Sequence, residues 1–393
     1  MGNIGSTSTW IVGGPVGLGL AAYMYDNRIR NRVRSGDNLK IRIPELPEEV
    51  VDRIQAYLPV SSYFRSRTVS RRWRTTLFVP NFLEIRTEVH SKEAWLFIIS
   101  YRRCRNWSFA YDPAFDRWHK IPLSFLPPDF MYPTAAAGGL LCIRAYMDGD
   151  QVLSVCNPLL KLWKALPAWL EDRIDPVIGI DINPLTQEYK IVAVGSYESG
   201  ATTEVYDSRM NCWSVTGKLP RKMSFARSAF CNGFFYCLTS GPPDALLAYS
   251  MEEGIWRVVP VSRPSFLWYG DIVEYLGRLL LVGALRIDQS FEGVRIWELR
   301  ESDSVAEWEE VETMPDRLFK DFYRKGKMFY SFQCVGSGNS LYLHVKKTPR
   351  VLVCNLGNRP PTWRWLPNSP TCADWSEVSI WGFCINPRMS VSI

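Results

Sequence analysis

Histidine is scarce in this chain: 393 residues carry three, His90, His119 and His344, each alone among strand- or turn-forming residues. The Ser-His and Cys-His arrangements of nucleophilic catalysis therefore have few available bases. Metal-binding spacing is missing as well. The ten cysteines (104, 142, 156, 212, 231, 237, 334, 354, 372 and 384) form no C-x-x-C pair and have no companion histidine cluster. Most lie in apolar runs such as "LLCIR" and "FFYCLT", where a free cysteine behaves as a small hydrophobe. A reducing compartment is expected, with no metal and no cofactor.

A basic stripe along the main body is lacking too. The formal net charge is +6, but it is concentrated between Asp26 and Thr76, where twelve Lys or Arg face six Asp or Glu; the remainder balances at 34 against 34. A basic head on a neutral body suits an acidic partner or an anionic membrane surface for the head, and argues against nucleic acid as a partner. What the chain does have is apolar material. At 47% hydrophobic and 13% aromatic residues, it can fill the core of a small module plus one large domain.

The first 25 residues, "MGNIGSTSTWIVGGPVGLGLAAYMY", contain no charged side chain. A dinucleotide turn would need G-x-G-x-x-G inside a βαβ unit. Gly13, Gly14 and Gly17 lack that spacing, and a helical module follows too soon to leave room for the unit. Gly2 and Ser6 satisfy M-G-x-x-x-[ST], a motif for N-terminal lipidation. Residues 10–25 form an apolar run that is short for a membrane span of about 20 residues, and Arg28, Arg30, Arg32 and Arg34 follow on the side that would stay cytosolic. A loosely packed tail and a membrane association through residues 1–34 both remain open. Ser35, Gly36, Asp37 and Asn38 mark a linker.

Residues 43–82 read "IPELPEEVVDRIQAYLPVSSYFRSRTVSRRWRTTLFVPNF". Pro47 suits the start of a helix, and Glu48 and Glu49 suit its positive end. Val50, Val51, Ile54 and Leu58 recur at helical spacing before Pro59 stops the run. A later helix is expected to carry Val69, Trp73 and Leu77 at i, i+4, i+8, with Arg71, Arg72 and Arg74 opposite and Pro80 at its end. About 40 residues of short helices bury their own apolar groups poorly, so something must cover the apolar face.

Beyond residue 84 the texture changes to short apolar and aromatic runs broken by Gly, Pro, Asn and Asp, the signature of strands. One pattern recurs six times: a hydrophobic strand, a polar turn, a tryptophan, then a proline, as in "AYDPAFDRWHKIP" and "VYDSRMNCWSVTGKLP". Its tryptophans are Trp118, Trp163, Trp213, Trp256, Trp308 and Trp363, separated by 45, 50, 43, 52 and 55 residues. A strand-built repeat near 50 residues matches the four-stranded blade of a propeller of the kelch sort, six blades in all. Each tryptophan is expected to be a blade-core residue that seals one blade against the next. The C-terminal "EVSIWGFCIN" can close the ring by pairing with residues 94–101, which removes exposed sheet edges. The carboxylates of "EWEEVE" (307–312) alternate with apolar positions and read as a solvated strand face.

The helical module resembles the F-box family, on Leu46, Pro47, Glu48, Glu49, Val51, Ile54, Leu58, Pro59, Val69 and Trp73. Two positions depart from the family pattern: Ser70 stands where Cys is usual, and Tyr63 where Leu is usual. An F-box followed by a degenerate propeller is similar to the plant F-box/kelch-repeat proteins, although only Gly138 and Gly139 preserve the kelch double glycine. The expected fold is an α+β multidomain chain, with a tail and linker at 1–40, a small all-α F-box module at 41–83 and an all-β, six-bladed propeller at 84–393. The resemblance implies a non-catalytic substrate receptor of an SCF-type, cullin-based ubiquitin ligase. Its F-box would bind a Skp-family adaptor through Leu46, Pro47, Val51, Ile54, Leu58, Pro59, Val69 and Trp73, and its propeller a target protein, with "PSFLWYG" (264–270) as a candidate contact. A scaffold acting outside any ligase is the alternative. The implied location is cytoplasm or nucleus, with attachment to the cytosolic face of a membrane left open.

Overall fold

A computed structural model describes residues 46–79, 82–86, 94–101, 107–127, 130–147, 150–171, 176–183, 185–195, 202–219, 225–239, 244–301, 305–325, 332–345, 350–369 and 379–387. The expectations for Gly2 and for the tail and linker at 1–40 lie outside the described residues, as do those for His90, Cys104, Cys372 and Pro80. Two compact units divide between residues 92 and 93.

The first unit holds α1 (Glu48–Tyr57), α2 (Val60–Ser66), α3 (Arg71–Thr75) and a 3-10 turn (Thr76–Phe78). Pro47 and Pro59 stand immediately before α1 and α2, each with φ −51°. Neither needs the N–H it lacks, and their carbonyls accept the first helical N–H groups: Val50 and Val51 on Pro47 at 3.0 and 3.2 Å, Ser62 and Tyr63 on Pro59 at 2.9 Å. α1 stops at Leu58, whose ψ of 136° is the extended conformation that a following proline imposes. The expected single helix through Val69, Trp73 and Leu77 is broken. α2 ends at Ser66, and the extended Ser70 starts α3 by accepting the Trp73 N–H on its Oγ at 3.1 Å. A serine hydroxyl that captures a backbone donor ends one helix and begins another. Val69 is thereby left in the turn and Leu77 in the 3-10 segment.

The second unit is a ring of six antiparallel, four-stranded sheets among the described residues. Blade I comprises β4 (Phe130–Ala137), β5 (Leu140–Met147), β6 (Asp150–Asn157) and β7 (Leu162–Ala165). Blade II has β8 (Val177–Ile182), β9 (Tyr189–Val194), β10 (Thr202–Asp207) and β11 (Cys212–Lys218). Blade III has β12 (Phe225–Cys231), β13 (Phe234–Thr239), β14 (Leu246–Ser250) and β15 (Trp256–Val259). Blade IV has β16 (Leu267–Tyr275), β17 (Arg278–Ile287), β18 (Ser290–Glu301) and β19 (Ala306–Thr313), and blade V has β20 (Phe332–Ser337), β21 (Ser340–Val345), β22 (Val351–Asn355) and β23 (Thr362–Trp365). Blade VI joins the two ends of the unit: β24 (Ser379–Ile385) pairs with β1 (Trp95–Tyr101), followed by β2 (Trp107–Asp112) and β3 (Arg117–Pro122). The β24–β1 register runs from Trp95↔Ile385 to Tyr101↔Ser379, so the ring closes through the C-terminal segment and the expected partner strand.

The innermost strands β4, β8, β12, β16, β20 and β24 neighbour one another around the ring. Second strands are sandwiched between neighbouring blades and read as continuous apolar runs; in β17 every residue from Leu279 to Leu285 is buried. Outer strands alternate instead. In β19, Ala306 is buried while Glu307, Glu309 and Glu310 face solvent, with Glu309 and Glu310 paired to Arg300 and Arg295 at 2.7 Å. Polar ties reinforce the inner ring. The buried Asp271 of β16 accepts the Cys334 N–H of β20 at 2.9 Å and faces Arg227 of β12 at 3.3 Å, and Gln333 of β20 exchanges two 2.9 Å bonds with Gly382 of β24. One element was not read from the sequence. α4 (Asp316–Lys325) fills the connection between blades IV and V and buries Phe319 and Phe322 against the core they share.

Candidate functional site

The first unit has an unusually polar interior. Gln55, Thr76 and Arg86 are all buried, and the Thr76 hydroxyl bonds to Gln55 Oε1 at 2.5 Å. Arg86 Nη1 donates to the carbonyls of Gln55, Ala56 and Leu58 at 3.4, 3.3 and 2.9 Å. The Gln55 carbonyl also takes the Leu58 N–H at 3.2 Å, and a cation at the end of α1 complements the helix dipole. The same guanidinium lies 4.7 Å from the centre of the fully buried Tyr63 ring, which packs on Phe82 at 5.3 Å. Burial pushes the Tyr63 phenol pKa up, against the opposing pull of Arg67 and Arg86. Tyr63, the residue that replaces the usual Leu, therefore serves the interior of the module.

Gln55, Thr76 and Arg86 share this core with Ala56, Val60, Tyr63 and Phe82, and the apolar motif residues are left outside it. Leu46 is 51% exposed and Val69 68%; Pro47 is exposed; Val51, Ile54, Leu58, Pro59 and Trp73 are partly buried, so none of the eight motif residues is buried by its own unit. Val50, absent from the motif set, is 39% exposed and continues the four-residue spacing through Ile54 and Leu58. Arg72 ties α3 back to α1 through ion pairs with Glu48 and with Asp52, the latter at 3.2 Å. An apolar face flanked by arginines can bind a complementary surface. It has no acid, base or nucleophile arranged for chemistry.

In the second unit the six repeat tryptophans all stand on the outermost strands, β3, β7, β11, β15, β19 and β23. Trp213 is buried and the other five are partly buried. Four reach the preceding blade with the indole N–H: Trp118 to Pro367 O at 2.8 Å, Trp213 to Pro167 O at 2.9 Å, Trp256 to Thr203 Oγ1 at 2.7 Å and Trp363 to Glu312 Oε1 at 3.1 Å. Trp308 packs into the cluster shared by blades III and IV, and Trp163 pairs in register with Cys156 within its own blade. The polar turns before Trp118, Trp163 and Trp213 have a local cause. Asp112, Asn157 and Asp207 accept N–H groups two residues ahead at 3.1, 3.1 and 2.8 Å, and the turns end in left-handed Asp116, Lys161 and Asn211. Tyr111, Tyr206 and Tyr249 then sit directly across from Trp118, Trp213 and Trp256, with ring centres 5.3, 5.4 and 5.3 Å apart.

The remaining candidates for chemistry are structural. His119 stacks on Trp95 at 5.2 Å, and His344 is buried in β21. Burial pushes the Cys156 thiol up to about 12 and Cys231 to about 11, so both are inert at neutral pH. The stretch 264–270 is different: Phe266 and Trp268 are 62% and 45% exposed at the edge of blade IV.

Comparison with known proteins agrees with this architecture. Residues 43–84 match the F-box domain. The chain is 27% identical over 357 residues to Protein UNUSUAL FLORAL ORGANS of Arabidopsis thaliana, covering 83% of this chain and 79% of that protein. It is 29% identical over 360 residues to Protein ABERRANT PANICLE ORGANIZATION 1 of Oryza sativa subsp. japonica, covering 83% and 82%. An F-box/kelch-repeat protein of Arabidopsis thaliana is 24% identical over 382 residues, covering 88% and 90%. Fold and motif together define an F-box protein with a β-propeller. A helical F-box at residues 43–84 is followed by a six-bladed ring, and the relatives of the chain include proteins named F-box/kelch-repeat.

Proposed function

We propose that this protein is the substrate-recognition subunit of a cullin-based, SCF-type ubiquitin ligase. Its F-box docks on a Skp-family adaptor and its propeller holds the target. The observation that carries this reading is the apolar face of the first unit, where Leu46, Pro47, Val69 and the neighbouring Val50 are exposed and the other motif residues only partly buried. A stable interface buries upwards of about 1,000 Å², and at about 25 cal/mol per Å² of apolar area such a face supplies a substantial driving force once a partner covers it. Leu58 and Trp73 serve as anchors, and the surrounding arginines suit an acidic adaptor. The mechanism is proximity: associated enzymes transfer ubiquitin, and this chain raises the local concentration of the target near them.

Co-purification with a Skp-family adaptor and cullin tests the reading. Wild-type chain should capture both, and Leu58→Asp combined with Trp73→Asp should lose both, because two charges would be buried in an apolar contact. Undiminished capture by the double variant would contradict it, and capture of adaptor without cullin would point to a scaffold outside a ligase.

A further inference from the structure

The far edge of blade IV carries an aromatic ledge organised around one arginine. The registers Leu267↔Leu285, Ile287↔Ser290 and Arg295↔Thr313 place the start of β16, the β17–β18 turn and the end of β19 at the same end of the blade. There the Arg286 guanidinium lies 4.3 Å from the centre of the Trp268 ring and 5.7 Å from that of Phe291. Phe291 in turn packs on Tyr323 of α4 at 5.7 Å, and Tyr323 is 46% exposed. Phe266 is held in the left-handed region, φ 60°, with its carbonyl accepting the Arg286 N–H at 2.9 Å. A bulky residue rarely adopts that conformation, and such outliers concentrate at binding sites.

Beside the ledge is a cavity of about 220 Å³ between blades III and IV, lined by Leu238, Leu246, Val261, Leu281, Trp308 and Trp268 among others. Trp268 thus belongs both to the cavity wall and to the stack that holds Arg286. Arg263 and Arg286, which both contact Trp268, differ in what they have left to give. Arg263 is occupied by Asp244 at 2.8 Å and by the carbonyls of Leu267 and Trp268 at 2.8 and 3.2 Å. Arg286 has no carboxylate and no hydrogen-bond acceptor for its guanidinium among the described residues. Stacking holds its planar fork in place while its donors stay available.

We infer that this edge binds a peptide segment of the target in which an Asp or Glu adjoins an apolar side chain. The carboxylate engages Arg286 and the apolar group enters the cavity past Trp268. A single available guanidinium matches one carboxylate in a two-bonded fork, whereas a phosphate calls for further cations that this edge has already committed. The inference rests on the reading of the propeller as the target-binding part and gives that target a chemistry.

The test uses the full chain and fluorescein-labelled octapeptide pools, two of them for the main comparison and two further ones carrying Lys or phosphoserine in place of the acid. Of the main pair, one carries Asp or Glu next to Leu, Ile or Phe in a Gly/Ser background; the other replaces the acid with Asn or Gln. Fluorescence polarisation should show the acidic pool binding at least about tenfold tighter, and Arg286→Gln should erase the difference between pools. Arg286→Glu should reverse it toward a pool carrying Lys. Equal binding of the two pools, binding of neither, tighter binding of a phosphoserine pool, or a preference that survives Arg286→Gln would overturn the inference. Adaptor capture is scored separately on the same preparation. Peptide binding without adaptor capture would sink the ligase reading alone, and adaptor capture without peptide binding would sink this inference alone.

Discussion

The two units of this chain solve the burial problem in opposite ways. The propeller covers its own apolar surface: second strands are buried between blades, the C-terminal strand β24 completes the sheet begun by β1, and outer tryptophans reach to the blade before them. The F-box unit instead spends its interior on Gln55, Thr76, Arg86 and Tyr63 and leaves Leu46, Val50 and Val69 in solvent. A closed ring covers its own sheet edges, whereas a short helical module with its apolar motif outside gains stability from any partner that covers that motif. On the proposed function, the ring presents the recognition surface and the helical module the docking surface.

Breaking the ring from inside should give the largest effect. Asp271→Ala removes a buried carboxylate from Cys334 N–H and Arg227, and should cost the propeller about 3 kcal/mol, since removing one partner of such a pair strands the other. Calorimetry should show a lower propeller transition with adaptor capture unchanged; an unshifted transition would mean that this tie contributes nothing. Next comes the polar core of the first unit. Arg86→Met removes the guanidinium that bonds the carbonyls of Gln55, Ala56 and Leu58, and should cost about 2 kcal/mol in that unit alone, read as faster amide exchange in α1. Uniform exchange changes in both units would erase the proposed contrast. Trp118→Phe keeps the ring and loses the bond to Pro367 O, for about 1 kcal/mol on the propeller transition.

The smallest effect is pH-dependent. The Tyr111 hydroxyl, and then Arg364, hold the Asp116 carboxyl below its ordinary value of 3.8, while hydrogen bonding and burial push Tyr111 up to about 12, burial contributing most. A depressed carboxylate stabilises the fold at neutral pH, and that contribution disappears as pH falls below about 4. Arg364→Met should therefore lower the propeller midpoint slightly at pH 7 and less at pH 3, and salt should shrink the difference because Asp116 is exposed. An equal shift at both pH values would remove the electrostatic explanation.

Much of the ring was legible because its repeat is driven by chemistry that survives divergence. Tryptophans at 43- to 55-residue intervals mark the outer strand of every blade, and five of them stand behind a turn whose Asp, Asn or Ser side chain bonds its own backbone. The innermost hairpins were less legible. Only Gly138 and Gly139 look like the kelch double glycine, yet the turns at Asn232-Gly233 and Leu276-Gly277 adopt positive φ at both positions, and Gly338 does so before Asn339. Turn geometry, which several residue pairs can satisfy, is what the blades share. α4 went unread because "DRLFKDFYRK" is a single short amphipathic run within a strand-rich region, stabilised by blade cores rather than by local propensity.

In the F-box unit, the ordered Leu-Pro, apolar and Trp positions coincide with residues that the unit leaves exposed or partly buried. Its interior was not legible: Arg86 acts on α1 from about 30 residues away in sequence, and no local pattern announces that contact. Ser70 divided what apolar spacing alone reads as one helix. The Arg286 ledge was only half visible, since "PSFLWYG" flags its aromatics while the arginine comes from another strand.

The most direct measurement is amide hydrogen exchange on the full chain with and without a purified Skp-family adaptor. The account predicts that adaptor slows exchange in α1, in the turn through Val69 and in α3, and leaves the six blades unchanged. No slowing in these segments, or slowing confined to the blades, would contradict it.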